Sequence, residues 1–156
     1  MISVIITSFK EPHTIGKCIQ CIADKKYSGI TKPFEIIQVS PDELTLKAGK
    51  KMANILKLSN SEYHHIIDPH KGKPYALKLA LKKAKGDIII LTDGDTFFGE
   101  NAVAELIKPF EDEKVGGVSG RPISQDSRDN VFGYWGHLLS ESGDHRRRNT
   151  MQEVKR

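Results

Sequence analysis

A mainly parallel α/β sheet with helices on both faces is the fold class this sequence predicts. Short apolar runs alternate with stretches of helical periodicity in the order β-α-β-α-β-α-β-α-β, as far as residue 119. One run, Ile88-Ile89-Ile90-Leu91, is aliphatic at every position, the pattern of a strand buried on both faces at the centre of a parallel sheet. The length of 156 residues suits one domain with a proper core.

The elements follow in order. Ser3 to Thr7 reads as the first strand, with Val4, Ile5 and Ile6 as its apolar centre. From Thr14 the positions Ile15, Cys18, Ile19 and Ile22 recur at helical spacing, and the helix fades by Tyr27-Ser28-Gly29. Phe34 to Val39 is the second strand. Ser40-Pro41-Asp42-Glu43 is a helix start, with Ser40 as cap, Pro41 in the first helical position and Glu43 completing a capping box. That helix runs to Leu58 and is expected to bury Leu44, Met52, Ile55 and Leu56. His64 to Ile67 is a third strand, 68–74 a loop and Tyr75 to Lys83 a helix. After the aliphatic strand come a helix over Asn101 to Phe110 and a fifth strand over Val115 to Ser119.

Beyond Arg121-Pro122 the character changes, so residues 1–122 are expected to form the α/β core and 123–156 a helical or irregular extension. Phe132-Gly133-Tyr134-Trp135 gathers aromatics beside glycines, and Leu138 to Arg148 reads as a helix with a solvated basic end that includes Asp144 and His145.

Composition excludes several classes. The chain is 38% hydrophobic and 28% charged, which is not the balance of a disordered protein. A net charge of +4 with one dense run, Arg146-Arg147-Arg148, gives no case for nucleic-acid binding. No apolar run has the length of a membrane span and no signal-peptide pattern opens the chain. The expected location is cytoplasmic, with the arginine run as the one feature that could meet a membrane surface. Cys18 and Cys21 form a C-x-x-C without a second pair, so packing is the expected role.

The chemistry sits at strand ends. Asp93 and Asp95 follow the aliphatic strand one residue apart, so their side chains can converge, and Gly94 between them lets backbone bend and ligand approach. Two oxygen ligands at a carboxyl strand end suit Mg²⁺ or Mn²⁺ carrying a phosphorylated substrate, whereas a plain Asp-Gly turn is the alternative. Thr7 to Glu11, Ser40 to Glu43 and Asp68 to Lys73 should lie along the same edge, adding hydroxyls, carboxylates and lysines fit for a nucleotide diphosphate.

The run Ser3-Val4-Ile5-Ile6-Thr7-Ser8-Phe9-Lys10-Glu11 resembles the opening of family 2 glycosyltransferases of the GT-A fold. Lys71-Gly72-Lys73-Pro74-Tyr75-Ala76-Leu77, continuing through Ala84-Lys85-Gly86-Asp87 into Asp93-Gly94-Asp95, is similar to the donor-site stretch of that family. The resemblance covers roughly residues 2 to 122. It implies a Rossmann-like domain that binds a UDP- or GDP-linked sugar with Mg²⁺ or Mn²⁺ and transfers the sugar, with inversion, to a hydroxyl of a saccharide or lipid-linked acceptor. Carried over residue by residue, it puts Thr7 and Glu11 in the nucleotide pocket with Phe9 packing nearby. Lys73 would lie near base or phosphates, Asp93 near ribose or metal, and Asp95 on the metal.

Two departures stand out. Where the family has an Asp after its second strand to meet the base, Ser40 stands, with Asp42 as a substitute or merely part of the helix cap; both count as nucleotide-binding candidates. The acceptor half and its catalytic carboxylate are not recognisable, since Glu141 and Asp144 are the carboxylates of the late helix region and neither makes a convincing base. A non-catalytic or truncated nucleotide-sugar-binding module, lacking the acceptor site and catalytic base, is therefore the alternative, and an open core edge could drive self-association. A haloacid-dehalogenase-type phosphatase fits poorly, because Phe97 stands where its motif wants Thr or Val and the strand is the fourth rather than the first. A nucleotidyltransferase would want a glycine-rich first loop that this chain lacks.

Overall fold

The computed structural model describes residues 1–154. The chain divides into two compact units, Met1–Gly116 and Gly117–Arg156, whereas the change of character in the sequence suggested a boundary after residue 122.

The first unit is a four-stranded parallel sheet in the order β3-β2-β1-β4, made of β1 (Ile2–Thr7), β2 (Phe34–Ser40), β3 (Tyr63–Ile67) and β4 (Ile88–Asp93). Alternation along β1 and β2 divides the core. Ile2, Val4, Ile6, Phe34 and Ile36 face one way and meet Ile15, Cys18, Ile19 and Ile22 of α1 (Ile15–Ala23) and Val103 of α5 (Ala102–Ile107). Ile5, Ile37 and Val39 face the other way and meet Ala76 and Ala80 of α4 (Lys73–Leu81). Each fully buried Ile or Val contributes about 1.5–3 kcal/mol relative to exposure. Helices cover both faces, as the alternating pattern requires.

Several expectations need correction. The aliphatic strand β4 is not central: it is an edge strand beside β1, and Leu91 is 56% exposed. Both faces of β1 and β2 are buried instead. No fifth strand forms over 115–119 among the described residues; Gly116 and Gly117 weaken any strand there, and the division between units falls between them. The third helix, α3 (Glu43–Ile55), is capped by Asp42, whose Oδ1 accepts the Thr45 N–H at 2.8 Å, so no Ser40/Glu43 capping box forms. Its buried face is Thr45, Leu46, Gly49 and Ala53, leaving Leu44 70% and Ile55 62% exposed. The first helix is followed by a separate short turn, α2 (Lys25–Ser28), which ends at Gly29 with φ +71°. In α4 the helix begins at Lys73 rather than Tyr75, because Pro74 is tolerated in a first turn whose N–H groups are unpaired anyway.

Two buried polar arrangements hold the sheet. Gln38 on β2 donates to the Thr45 carbonyl of α3 at 3.0 Å and accepts from the Tyr63 hydroxyl. Gly49 makes room for it, since a Cβ there would lie 1.9 Å from Gln38 Oε1. At the other end of the sheet, Glu35 Oε1 accepts from Ser3 Oγ at 2.6 Å and from Lys85 N at 2.7 Å, and Ser3 Oγ accepts from Gly86 N at 2.8 Å. This latch fixes the entry of β4 against β1.

In the second unit, α6 (Val131–Val154) begins seven residues before the expected Leu138 and absorbs the aromatic cluster. Asn130 starts it, its Oδ1 accepting the Gly133 N–H at 2.8 Å. Asp144 does not belong to a solvated end. Its carboxylate is buried against Arg121 at 3.4 Å, Arg148 at 3.0 Å and Arg147 at 3.8 Å. No helix among the described residues is long and apolar enough to cross a membrane.

Gly49→Ala should cost about 1–3 kcal/mol by forcing α3 off Gln38. A urea titration in which this variant unfolds at the wild-type midpoint would contradict the packing.

Candidate functional site

The order β3-β2-β1-β4 contains a switch point between β1 and β4, since the chain winds outward from β1 in one direction and then returns to its other side. Loops at the carboxyl ends of these strands part there and open a cleft of about 520 Å³. It is lined by Thr7, Ser8, Phe9 and Glu11 after β1, Val39 and Pro41 at β2, Asp68 and His70 after β3, Gly72, Lys73 and Ala76 at α4, and Asp93 and Asp95 at β4. Parallel strands lie about 4.8 Å apart, so a cleft reaching from β4 to β3 spans roughly 14 Å.

At the β4 end the register pairs Thr7 with Asp93. Asp93 Oδ1 accepts from Thr7 Oγ1 at 2.9 Å and from Lys73 Nζ, which reaches across from the first turn of α4. The next turn is pinned by Gly94 N donating to the Thr7 carbonyl at 3.0 Å. Gly94 is required by close approach: a Cβ there would lie 2.3 Å from Glu11 Oε2 and 2.8 Å from Ser8 Cβ. Glu11 is thereby set beside the two aspartates. Burial first, then the charges of Asp95 and Asp93, raise its carboxyl above the usual range. Its Oε2 is buried without a hydrogen-bond partner.

The donor set can be tested against the expected cation. Among the described residues no group of three His, Cys, Asp or Glu side chains could hold a metal unaided. Mg²⁺ and Mn²⁺ do not need one, because a site of one or two carboxylates completed by phosphate oxygens and water is their ordinary environment beside nucleotides. Asp93 and Asp95, with an unpartnered Glu11 oxygen behind them, have the chemistry for such an ion.

The sequence-derived candidates divide in two. Thr7, Phe9, Glu11, Lys73, Asp93 and Asp95 all line the cleft. Ser40 and Asp42 do not: Ser40 is fully buried and donates to Asp42 Oδ2 at 3.0 Å. Asp42 Oδ2 also accepts from Lys10 N at 2.8 Å while Oδ1 caps α3. Burial pushes the Asp42 carboxyl up, but donation from Lys10, Thr45 and Ser40 outweighs it and holds the group below its ordinary range. Asp68 and His70, in the loop expected along this edge but not singled out by residue type, line the cleft as well. Asp68 is buried, and its Oδ1 accepts the His70 N–H at 2.8 Å, a bond that only the assembled loop displays. Cys18 packs in the core with its thiol donating to the Asp93 carbonyl at 3.6 Å; burial pushes it up to about 12, so it carries no thiolate.

The sequence matches the family model described as glycosyl transferase family 2 over residues 3–154. The chain belongs to that family. The match continues through the second unit, past the stretch whose motifs suggested the family. Among curated relatives, an N-acetylglucosaminyltransferase of Azorhizobium caulinodans is 28% identical over 127 residues, which are 80% of this chain and 31% of that protein. Another, of Bradyrhizobium elkanii, is 24% identical over 80% of this chain and 68% of its own length. The chain thus spans about a third of the first relative. Among solved structures, a mannosyltransferase from Pyrobaculum calidifontis in complex with GDP-Man and Mn²⁺ superposes with a TM-score of 0.67 at 23% identity, over 86% of this chain and 37% of that one. TarS of S. aureus in complex with UDP-GlcNAc gives a TM-score of 0.51 at 24% identity, over 83% and 38%. Family members of the GT-A kind therefore share this sheet and its helices.

Replacing Glu11 by Gln tests the electrostatics of the acidic end. A raised folded-state value means the native state holds the Glu11 proton more tightly, so ionisation opposes folding as pH rises above about 4.5. Glu11→Gln should raise the thermal midpoint at pH 7, and the gain should vanish below pH 4. Equal midpoints at both pH values would show that neither burial nor the two aspartates raise the Glu11 carboxyl.

Proposed function

We propose that the chain binds a nucleotide-diphosphate sugar in this cleft and serves as the donor side of a metal-dependent, inverting glycosyl transfer to an acceptor hydroxyl. One observation carries the reading: the strand-end pair Thr7–Asp93, with Lys73 on Asp93 and Asp95 two residues beyond, brings an ammonium group, a hydroxyl and two carboxylates together in one cleft at the switch point. GDP-Man and UDP-GlcNAc, bound by the two solved neighbours, indicate the ligand class.

Asp95 and Asp93 would hold Mg²⁺ or Mn²⁺, which supplies charge stabilisation to the departing diphosphate. Lys73, which lies on Asp93, would be the group to meet phosphate oxygens. Thr7 keeps Asp93 oriented through its hydroxyl, and Glu11 backs the Asp-Gly-Asp turn from behind. In inverting transfer a saccharide or lipid-linked hydroxyl attacks the anomeric carbon as a carboxylate takes its proton and the nucleoside diphosphate leaves.

A second reading, donor binding without transfer by these residues alone, is favoured by the pairing of Glu141 and Asp144, the two carboxylates weighed as bases. Glu141 Oε1 accepts from Arg128 at 2.8 Å, and Asp144 is held by its arginines, so neither stands ready as a base. Sugar transfer or donor hydrolysis by this chain would sink that second reading.

Calorimetry with UDP and GDP should show binding at least about tenfold tighter with Mn²⁺ than without, and Asp95→Ala should remove the metal effect. Nucleotide binding that ignores the metal would overturn the metal-dependent reading.

A further inference from the structure

The outward side of α3 carries a charge pattern that neither the core nor the cleft uses. The helix buries Thr45, Leu46, Gly49 and Ala53. Its other side presents Lys47, Lys50, Lys51 and Asn54 to solvent, together with the exposed Leu44 and Ile55. At 3.6 residues per turn these six positions share one arc of roughly 140°. Lys47, Lys50, Lys51, Asn54 and Ile55 border a shallow depression of about 480 Å³. Glu43 is the acidic residue of this helix, and Lys47 Nζ covers it at 2.9 Å. An exposed pair of that kind is worth little and yields readily to another anion.

Each part of the pattern suits the surface of a bilayer that contains anionic lipid. The negative potential of such a surface draws each nearby lysine by about fivefold in partition. Lysine stems lie along apolar surface while their ammonium groups reach the phosphates, and a leucine or isoleucine beside them can enter the acyl boundary. Leu44 and Ile55 bracket the lysines, roughly 16 Å apart along the helix axis. An acidic protein surface would satisfy the lysines and leave those two side chains without a place. The arginine run that the sequence offered for a membrane surface is differently employed, since Arg147 and Arg148 lie against Asp144. None of the six residues on the arc lines the cleft.

We infer that this face of α3 docks the protein on a bilayer bearing anionic phospholipid, with the lysines on headgroup phosphates and Leu44 and Ile55 in the acyl boundary. Donor binding in the cleft is not needed for this docking, nor the docking for donor binding.

The test is co-sedimentation of the full chain with vesicles of phosphatidylcholine alone and of phosphatidylcholine with about a third phosphatidylglycerol. Wild-type protein should partition at least about tenfold more strongly to the anionic vesicles at low salt, and lose most of that preference at about 1 M salt, where screening is nearly complete. Lys50→Gln with Lys51→Gln should weaken partition at least about tenfold, as two lysines at about fivefold each imply. Leu44→Gln with Ile55→Gln, which leaves the charge untouched, should weaken it at least about fivefold. Lys82→Gln with Lys83→Gln removes equal charge just after α4, on the opposite face of the sheet, and should stay within about twofold of wild type. All six substitutions are at exposed positions, so each variant should melt with the wild type. Equal partition to both kinds of vesicle, an equal loss in the Lys82 and Lys83 control, or no loss in the Leu44 and Ile55 variant would each overturn the inference. So would binding to polyglutamate without binding to anionic vesicles, the mark of an acidic protein partner. The Lys50 and Lys51 variant should bind nucleotide as the wild type does; a nucleotide defect in it would assign these lysines to the donor site and overturn the docking. Vesicle binding by a wild-type protein that takes no nucleotide would overturn the donor reading and support the docking.

Discussion

The pairing of β1 with β4 in register, Thr7 opposite Asp93, is the constraint on which the cleft depends. Side chains alternate along a strand, so a slip of one residue in β4 would turn Asp93 to the opposite face and leave Thr7 without its acceptor. An edge strand has only one neighbour to hold it in place. The latch at the other end of the sheet supplies what is missing: Glu35 and Ser3 grip Lys85 and Gly86 just before β4 begins. The buried carboxylate of Glu35 has His64 Nε2 3.3 Å from its second oxygen, but burial holds that imidazole below its ordinary value, so the hydrogen bonds rather than a paired cation hold Glu35. The geometry of the acidic end is thus set from the far end of the same two strands.

Much of this was legible in the sequence. Strand runs such as Val4-Ile5-Ile6 and the helical spacing of Ile15, Cys18, Ile19 and Ile22 name their own structure, because burial of one face imposes a period. Asp93-Gly94-Asp95 and Lys73 could be placed in one cleft because both adjoin strand or helix ends whose order fixes their neighbourhood. What stayed hidden depends on contacts between distant segments. The run Ile88 to Leu91 is as apolar as a central strand, and nothing local says that β1 and β2 would occupy the middle. In α3 the apolar Leu44 and Ile55 point outward, while small Gly49 and polar Thr45 face the sheet to accommodate Gln38.

The same lesson holds at the site. Asp42 and Asp68 look alike on paper, each an aspartate shortly after a strand. Asp42 is the cap of α3, one of its two expected roles, and also fastens Lys10; Asp68, in the loop expected along the same edge, fastens His70. Lys10 has φ 58° and His70 φ 57°, and a backbone N–H held in a left-handed residue leaves no trace in residue type when that residue is a histidine or a lysine rather than a glycine. Asn130, by contrast, is a capping residue type that accepts from Gly133 N three residues on, a local pairing.

The cleft is spread over the ends of separate strands, carboxylates on β4 and rings on the loops after β1 and β3, with independent fastenings for each. Such a layout is modular in descent. Substitutions at residues 68–70 can remodel one end without disturbing the register that aligns the other, and the reverse also holds. A lineage built on this frame can therefore explore new ligands one strand end at a time, keeping a working half while the other changes.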